Sequence, residues 1–323
     1  MCVFRNDKVF TIDIQRTMRI AHFSDLHLLA LEGVGVSRFA NKRFTGWVNL
    51  KVKRSHQHLP SHARAVMREV ARANVDHAIL TGDLTNLALE GEFAAVRALV
   101  EAELGLGRDQ ISVVPGNHDL YTRGSLRARR FSAFFAPYVK SDLPELAAAI
   151  PLGLFPFVKL RGPVAIIGLS SAVPRPPFVA SGELGREQIE ALVRILAHDE
   201  VKKRTTIVAL HHPAHNPPSK LKTLAEGLWD ANALASALAH LDKGVILHGH
   251  LHVRQQKPLA THGGELLVLG ATSASLHDDE NPHKMAGFNV YEFDADGSLK
   301  SIQAHVYEPQ TGGFRTAPIP VVG

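Results

Sequence analysis

The sequence predicts an α/β fold: a pair of mixed sheets with helices outside. Three observations predict it. Short apolar, often β-branched runs recur along the chain and read as buried strands. Amphipathic helical patterns separate them over the first 250 or so residues. The remaining tail alternates like hairpins instead.

Taken in order, the first strand covers 19–24, and a long connection leads to a helix at about 61–73. Ala65, Val66, Val70 and Ala73 give that helix its apolar spacing. A second strand, through Ala78 to Leu80, ends at Asp83. A helix through Phe93, Val96, Leu99 and Val100 follows, closed by Gly105. Ile111 to Val114 leads to Asn117. Phe131, Phe134 and Phe135 mark another helix face. A strand at 164–169 leads to Ser170 and Ser171, and a helix spans about 186–197. Strand 206–210 delivers His211, helix 231–241 follows, and strand 245–248 precedes Gly249. The tail offers strands at 265–269, 288–293 and 302–307. Asp294-Ala295-Asp296-Gly297 is the turn between the last two.

The chemistry sits where the apolar runs stop. Five segments end them: Asp25-Leu26-His27, Gly82-Asp83, Gly116-Asn117-His118-Asp119, His211-His212-Pro213 and Gly249-His250-Leu251-His252. Oxygen and nitrogen ligands thus recur at the carboxyl ends of strands, where sheets with crossover helices gather their sites. The set has no cysteine, which excludes thiolate chemistry there. Mixed imidazole, carboxylate and amide ligands suit Mn, Fe, Zn or Ni. A carboxylate such as Asp83 can bridge two cations. Two metals about 3.5–4 Å apart can clamp one phosphoryl group and make a hydroxide at neutral pH. Asp25, His27, Asp83, Asn117, His211, His250 and His252 supply the seven ligands such a pair needs, leaving His118 over. An uncoordinated histidine beside two metals can protonate a leaving oxygen. Gly116 and Gly249 are read as permitting tight turns.

The order and spelling of these segments resemble the calcineurin-like metallophosphoesterase superfamily, whose signature runs D-x-H, G-D, G-N-H-D/E, H and G-H-x-H. The resemblance implies a four-layer αββα sandwich and a division of ligands. Asp25, His27 and His252 would hold one metal; Asn117, His211 and His250 the other; Asp83 would bridge. His118 would contact the phosphoryl oxygen or protonate the leaving group, with Asp119 orienting it. His212 competes with His211 for the ligand position, and with His215 is a candidate to line the pocket. His248 stays unassigned, and Thr272, Ser273 and Ser275 are either rim residues or ordinary turn hydroxyls. His22, His77, His198, His240, His262 and His283 stand outside the pattern and read as structural or surface residues.

Composition bounds the rest. The five segments follow one another without a low-complexity linker, so residues 18–323 read as a single domain and 1–17 as an N-terminal extension. No stretch has the roughly 20 apolar residues of a membrane span. The start has no apolar core of a secretion signal, and the single Cys2 suits a reducing cytoplasm. A net charge of +5 fits an anionic substrate, and no nucleic-acid motif accompanies it. Residues 38–58 form a basic, acid-free insertion in which Phe44, Trp47 and Val48 could make one apolar stripe. It reads as a packed lid or as an interfacial segment near a membrane surface, peripheral to the inner membrane. Trp47 and Lys51 are candidates for contact with the distal part of a substrate.

The function expected is a binuclear phosphohydrolase using a metal-bridging hydroxide for in-line attack on a small phosphoester. The motif spelling resembles the bacterial cyclic-nucleotide and glycerophosphodiester phosphodiesterases, so a phosphodiester comes first. The alternatives are hydrolysis of a lipid-linked pyrophosphate or phosphate, resembling the UDP-diacylglucosamine hydrolases, and a catalytically weak binding protein of the same fold.

Overall fold

The computed structural model describes residues 17–30, 58–278, 280–281 and 283–322. The N-terminal extension up to 16 and residues 31–57, which include the insertion at 38–58 except His58 and with it Trp47 and Lys51, lie outside the described residues.

Two six-stranded mixed sheets form the centre. In the first, β1 (Met18–Phe23), β2 (His77–Leu80) and β3 (Ile111–Val113) run parallel. An antiparallel run of β12 (Gly287–Phe293), β13 (Leu299–Glu308) and β14 (Gly313–Ala317) continues from β1. In the second, β7 (Val164–Gly168), β8 (Thr205–Ala209), β9 (Gly244–His248) and β11 (Glu265–Gly270) are parallel. The edge strands β6 (Phe157–Arg161) and β10 (Gln255–Ala260) close it antiparallel. A small hairpin, β4 (Ala148–Ile150) with β5 (Gly153–Phe155), stands apart.

Strand alternation makes the layers. Ile166, Ile207, Val245, Leu247 and Leu269 of the second sheet join one core with Ile20, Phe23 and Tyr291 of the first. Their neighbours Ala165, Ile167, Val208, Ile246 and Val268 face the other way. They meet Leu192 and Ile195 of the helix Arg186–Ala197, and Leu234 and Leu238 of the helix Ala231–Leu238. On the opposite flank, helices Pro60–Arg72 and Glu90–Glu103 bring Val66, Val70, Phe93 and Val96 to the first sheet. The result is helix, sheet, sheet, helix. Each fully buried Val, Ile, Leu or Phe contributes about 1.5–3 kcal/mol to holding the layers together.

The helix starts follow local chemistry. Pro60 opens the first, where its missing N–H costs nothing. In the next, Glu92 accepts from the Leu87 and Leu89 amides (2.9 and 3.0 Å), and Gly105 ends it at φ 64°. The expected face at Phe131–Phe135 lies on one short helix, Arg130–Phe135, preceded by another, Arg123–Arg127. Among the described residues no helix is long and apolar enough to cross a membrane.

This topology positions the site. The carboxyl ends of β1, β2 and β3 and those of β8 and β9 emerge on one edge, where a Ser24–Ser273 bridge ties the sheets.

Candidate metal centre

Beyond the strands, the loops continue to zip together. The Asp25 amide donates to Gly82 O (2.9 Å), His27 to Asp83 O (3.0 Å) and Leu28 to Leu84 O (3.1 Å). The turn this demands is steep. Asp25, His27, Asp83, His250 and His252 all have φ between 45° and 66°, a region most side chains avoid. Strain of this kind persists where surrounding structure over-determines it, as at functional sites. Gly82 has φ 90°, and a Cβ there would lie 2.7 Å from Gly116 Cα. Gly116 and Gly249 serve close approach. Neither has positive φ; they are glycines because a Cβ would collide with Asp83 and with Ser24 and Asp25, respectively.

The seven expected ligands meet in one cluster. His252 Nε2 lies 3.1 Å from both Asp25 Oδ1 and His27 Nε2. Asp83 Oδ2 lies 3.9 Å from His27 Nε2 and 3.4 Å from His211 Nε2. His211 Nε2 is also 3.1 Å from Asn117 Oδ1. The His250 amide donates to Asp25 Oδ2 (3.1 Å). Asp83 belongs to two groups close enough to share a cation, one with His27 and His118, one with Asp25 and His211.

Backbone carbonyls set the imidazole tautomers. Thr81 O accepts from His211 Nδ1 (2.7 Å), so the neutral ring presents its Nε2 lone pair toward Asp83 and Asn117. Glu226 O accepts from His250 Nε2 (2.9 Å), leaving Nδ1 as that ring's donor atom. Such outer hydrogen bonds orient metal-binding histidines generally. His212 is different: Ala180 O accepts from its Nε2 (2.8 Å), and Ser171 Oγ lies 2.8 Å from its Nδ1. Both nitrogens are engaged, so the geometry favours His211 over its neighbour. His215 is half-buried against Lys257 and Pro258 and does not join the cluster. His248 Nδ1 bonds Gly249 O.

His118 stands beside the cluster, its ring 5.0 Å from that of His27 and stacked on Tyr121. Its amide donates to Asp83 Oδ1 (2.8 Å), and its Nδ1 donates to Asn86 O (2.8 Å). The orienting contact is therefore a carbonyl, where Asp119 was expected. The Asp119 carboxylate instead accepts from Leu84, Thr85 and Gly116 amides and the Thr85 hydroxyl. It ties the β2 and β3 loops together and holds His118 only through the backbone.

The electrostatics follow from this packing. Burial would raise the Asp83 carboxyl, but His211, His118 and His27 hold it well below the usual range. Burial would lower the His211 imidazole, yet Asp83, Asp25 and the Thr81 carbonyl push it up to about 9. Burial and the neighbouring imidazoles His58, His118 and His252 keep His27 well below its ordinary value, against the pull of Asp83. Burial, then the charge of Asp83, raises Asp119 to about 7.

The donors fit a pair of cations. Two carboxylates, an amide oxygen and four imidazoles converge, and no sulfur is among them. His27 Nε2 and His252 Nε2 lie 3.1 Å apart, and His27 Nδ1 is buried without a hydrogen-bond partner. A further imidazole, His58, joins His27 and His252; it stands outside the five segments, and the His56-Gln57-His58 spacing at the end of the basic insertion is the signal that could have pointed to it.

Comparison with known proteins agrees. Residues 18–254 match the family described as calcineurin-like phosphoesterase. A probable cyclic nucleotide phosphodiesterase of Rhodococcus erythropolis is 29% identical over 180 residues, which is 56% of this chain. The match spans about half, 52%, of that relative's length. Among solved structures, a dimetal phosphatase from Danio rerio superposes with a TM-score of 0.55 at 15% identity, covering 89% of this chain and 94% of the other. The purple acid phosphatase PPD1 of yellow lupin gives 0.53 at 14% identity, covering 94% and 53%. These two likenesses concern the fold. The family match spans most of the described residues and all five ligand segments, so the chain belongs to the calcineurin-like phosphoesterase family.

Proposed function

We propose that the protein is a binuclear metal-dependent phosphohydrolase whose first choice of substrate is a phosphodiester. The observation that carries this is Asp83: one carboxylate facing His27 on one side and His211 on the other, with donors completing both sides. Asp25, His27 and His252 would hold one cation, Asn117, His211 and His250 the second, with Asp83 between them. When bound, the pair supplies Lewis acidity and activates water at neutral pH. The chain's own residues do the rest. Asn117 adds a donor without adding negative charge against an anionic substrate. His118, with Nδ1–H committed to Asn86 O, directs Nε2 toward the reacting group and donates a proton to the leaving oxygen. The name of the Rhodococcus relative supports a diester over a monoester.

A second reading, an amphiphilic substrate such as a lipid-linked pyrophosphate, is favoured by one observation. Phe178 (88% exposed), Leu221, Leu224 and Trp229 form an exposed apolar rim. The rim loops pair at Ala180–Ala225 and touch the centre through Ala180 O on His212 and Glu226 O on His250.

The test is a side-by-side panel with Mn²⁺: bis-p-nitrophenyl phosphate, cyclic nucleotides, glycerophosphodiesters, phosphomonoesters and nucleotide-lipid pyrophosphates. Diester turnover ahead of the others supports the first reading. Preference for the lipid pyrophosphate supports the second. No turnover of any of them, with metals bound, would point to the binding-protein alternative.

A further inference from the structure

We propose that His58 is an eighth donor to the metal centre, on the side of His27 and His252. The proposal rests on the binuclear reading above. A ring nitrogen of His58 lies within 4.8 Å of ring nitrogens of both His27 and His252. The His58 ring sits 4.6 Å from that of His27 and 5.4 Å from that of His252, edge-on to both.

The loop after β11 aims the ring. Ser275 Oγ lies 2.8 Å from His58 Nδ1 and Ser273 Oγ lies 3.3 Å from it. Both hydroxyls donate to the Asp25 carbonyl, Ser273 at 2.6 Å and Ser275 at 3.4 Å. With their protons so committed, the serines accept from His58, which places the proton on Nδ1 and the lone pair on Nε2. A metal takes a neutral imidazole at its bare nitrogen, and an outer hydrogen bond of this kind at the other nitrogen is what fixes a ligating ring. The backbone reinforces the placement: the Leu59 amide donates to Ser275 O (2.8 Å), and the Pro60–Arg72 helix starts immediately after. His58 is thus locked against the loop after β11, whose serines also hold the Asp25 carbonyl.

The consequence is an unequal pair. The first side would have Asp25, His27, Asp83, His252 and His58. The second would have Asp83, Asn117, His211 and His250. The fuller side binds its cation more tightly and keeps fewer positions open to substrate or water.

The experiment uses the full chain, stripped with chelator and titrated with Co²⁺, reading binding isotherms and the visible d–d absorption. His58→Ala and His58→Gln should weaken the tighter of two binding steps by about tenfold or more and alter the band shape of that step. Ser275→Ala should move both readouts the same way by less. His277→Ala, whose ring partners His62 instead, should leave both unchanged. Circular dichroism and melting of the metal-free proteins check that each variant folds. Unchanged affinities and spectra in both His58 variants would overturn the proposal. Saturation of the wild type at one Co²⁺ would sink the binuclear reading instead. In that event the His58 variants report on the single ion, weaker binding supporting the eighth donor and unchanged binding overturning it.

Discussion

The two sides of Asp83 are built from similar residues and behave oppositely. On one side, His27 faces His252, His58 and His118, its Nδ1 is buried without a partner, and its imidazole stays neutral. On the other, His211 has Thr81 O at Nδ1 and oxygen atoms of Asp83 and Asn117 at Nε2, so it can hold both protons and is pushed up to about 9. The difference teaches that burial alone does not set a histidine's charge. Acceptors do: imidazoles among imidazoles release their protons, and one between a carbonyl and a carboxylate keeps them.

The comparison breaks most completely at the shared group. Asp83→Asn should weaken both metals and lower kcat by at least about 10²–10³-fold, the scale of losing one preorganised electrostatic group. Elemental analysis with steady-state kinetics checks it. Loss of one metal with the other held at normal affinity would make Asp83 a terminal ligand.

In the proposed division His118 is a ligand to neither side, although its ring nitrogen lies close to His27 and Asp83. His118→Ala should keep the wild-type metal content while kcat falls about 10²–10⁴-fold on an alkyl ester. The loss should shrink for p-nitrophenolate, which leaves without protonation. Equal losses for both esters would assign His118 to the phosphoryl oxygens instead.

A pH series on the chelated protein sharpens the electrostatic contrast. The folded His211 value of about 9 lies above its ordinary 6.5. Its pairing with Asp83 therefore stabilises the metal-free fold fully below about 6.5 and is lost as pH rises through about 9. Melting temperature should fall over that window, and His211→Gln should flatten the fall. His27→Gln should leave the window in place, because His27 binds no proton there. A window that survives His211→Gln would place the titration elsewhere.

The smallest effect concerns His212, which the proposed division leaves out of the ligand set although it lies close to His211 and His250. Ser171→Ala leaves His212 Nδ1 unpaired in a buried setting and should cost about 1–3 kcal/mol of stability by denaturant unfolding. Metal content should not change. A lost metal equivalent would make His212 a ligand after all.

The sequence made parts of this legible and hid others for physical reasons. The strand-end motifs are contiguous, so Asp25, His27, Asp83, Asn117, His211, His250 and His252 could be picked out residue by residue, and the structure gathers them. Central strands were legible because they are apolar on both faces, as at Ala165–Ile167 and Ile207–Val208. Polar edge strands were not, unlike the apolar edge strand β3: β10 is Gln-Gln-Lys-Pro-Leu-Ala and half exposed, with Pro258 tolerated where an edge needs no donor. β14, also polar and at an edge, escaped for the same reason. Partners that are backbone carbonyls have no residue-type signature, so Asn86 behind His118, Thr81 behind His211 and Glu226 behind His250 could not be read in advance. His58 escaped because it follows no apolar strand run: it closes the basic insertion as His56-Gln57-His58, 31 residues after His27, and its serine supports come from a distant loop.

The measurement that bears most directly on the account is metal stoichiometry. Protein purified without chelator and reloaded with Mn²⁺ should approach two equivalents per chain by elemental analysis, falling toward none in Asp83→Ala. Saturation at one equivalent in the wild type would contradict a carboxylate shared between two cations.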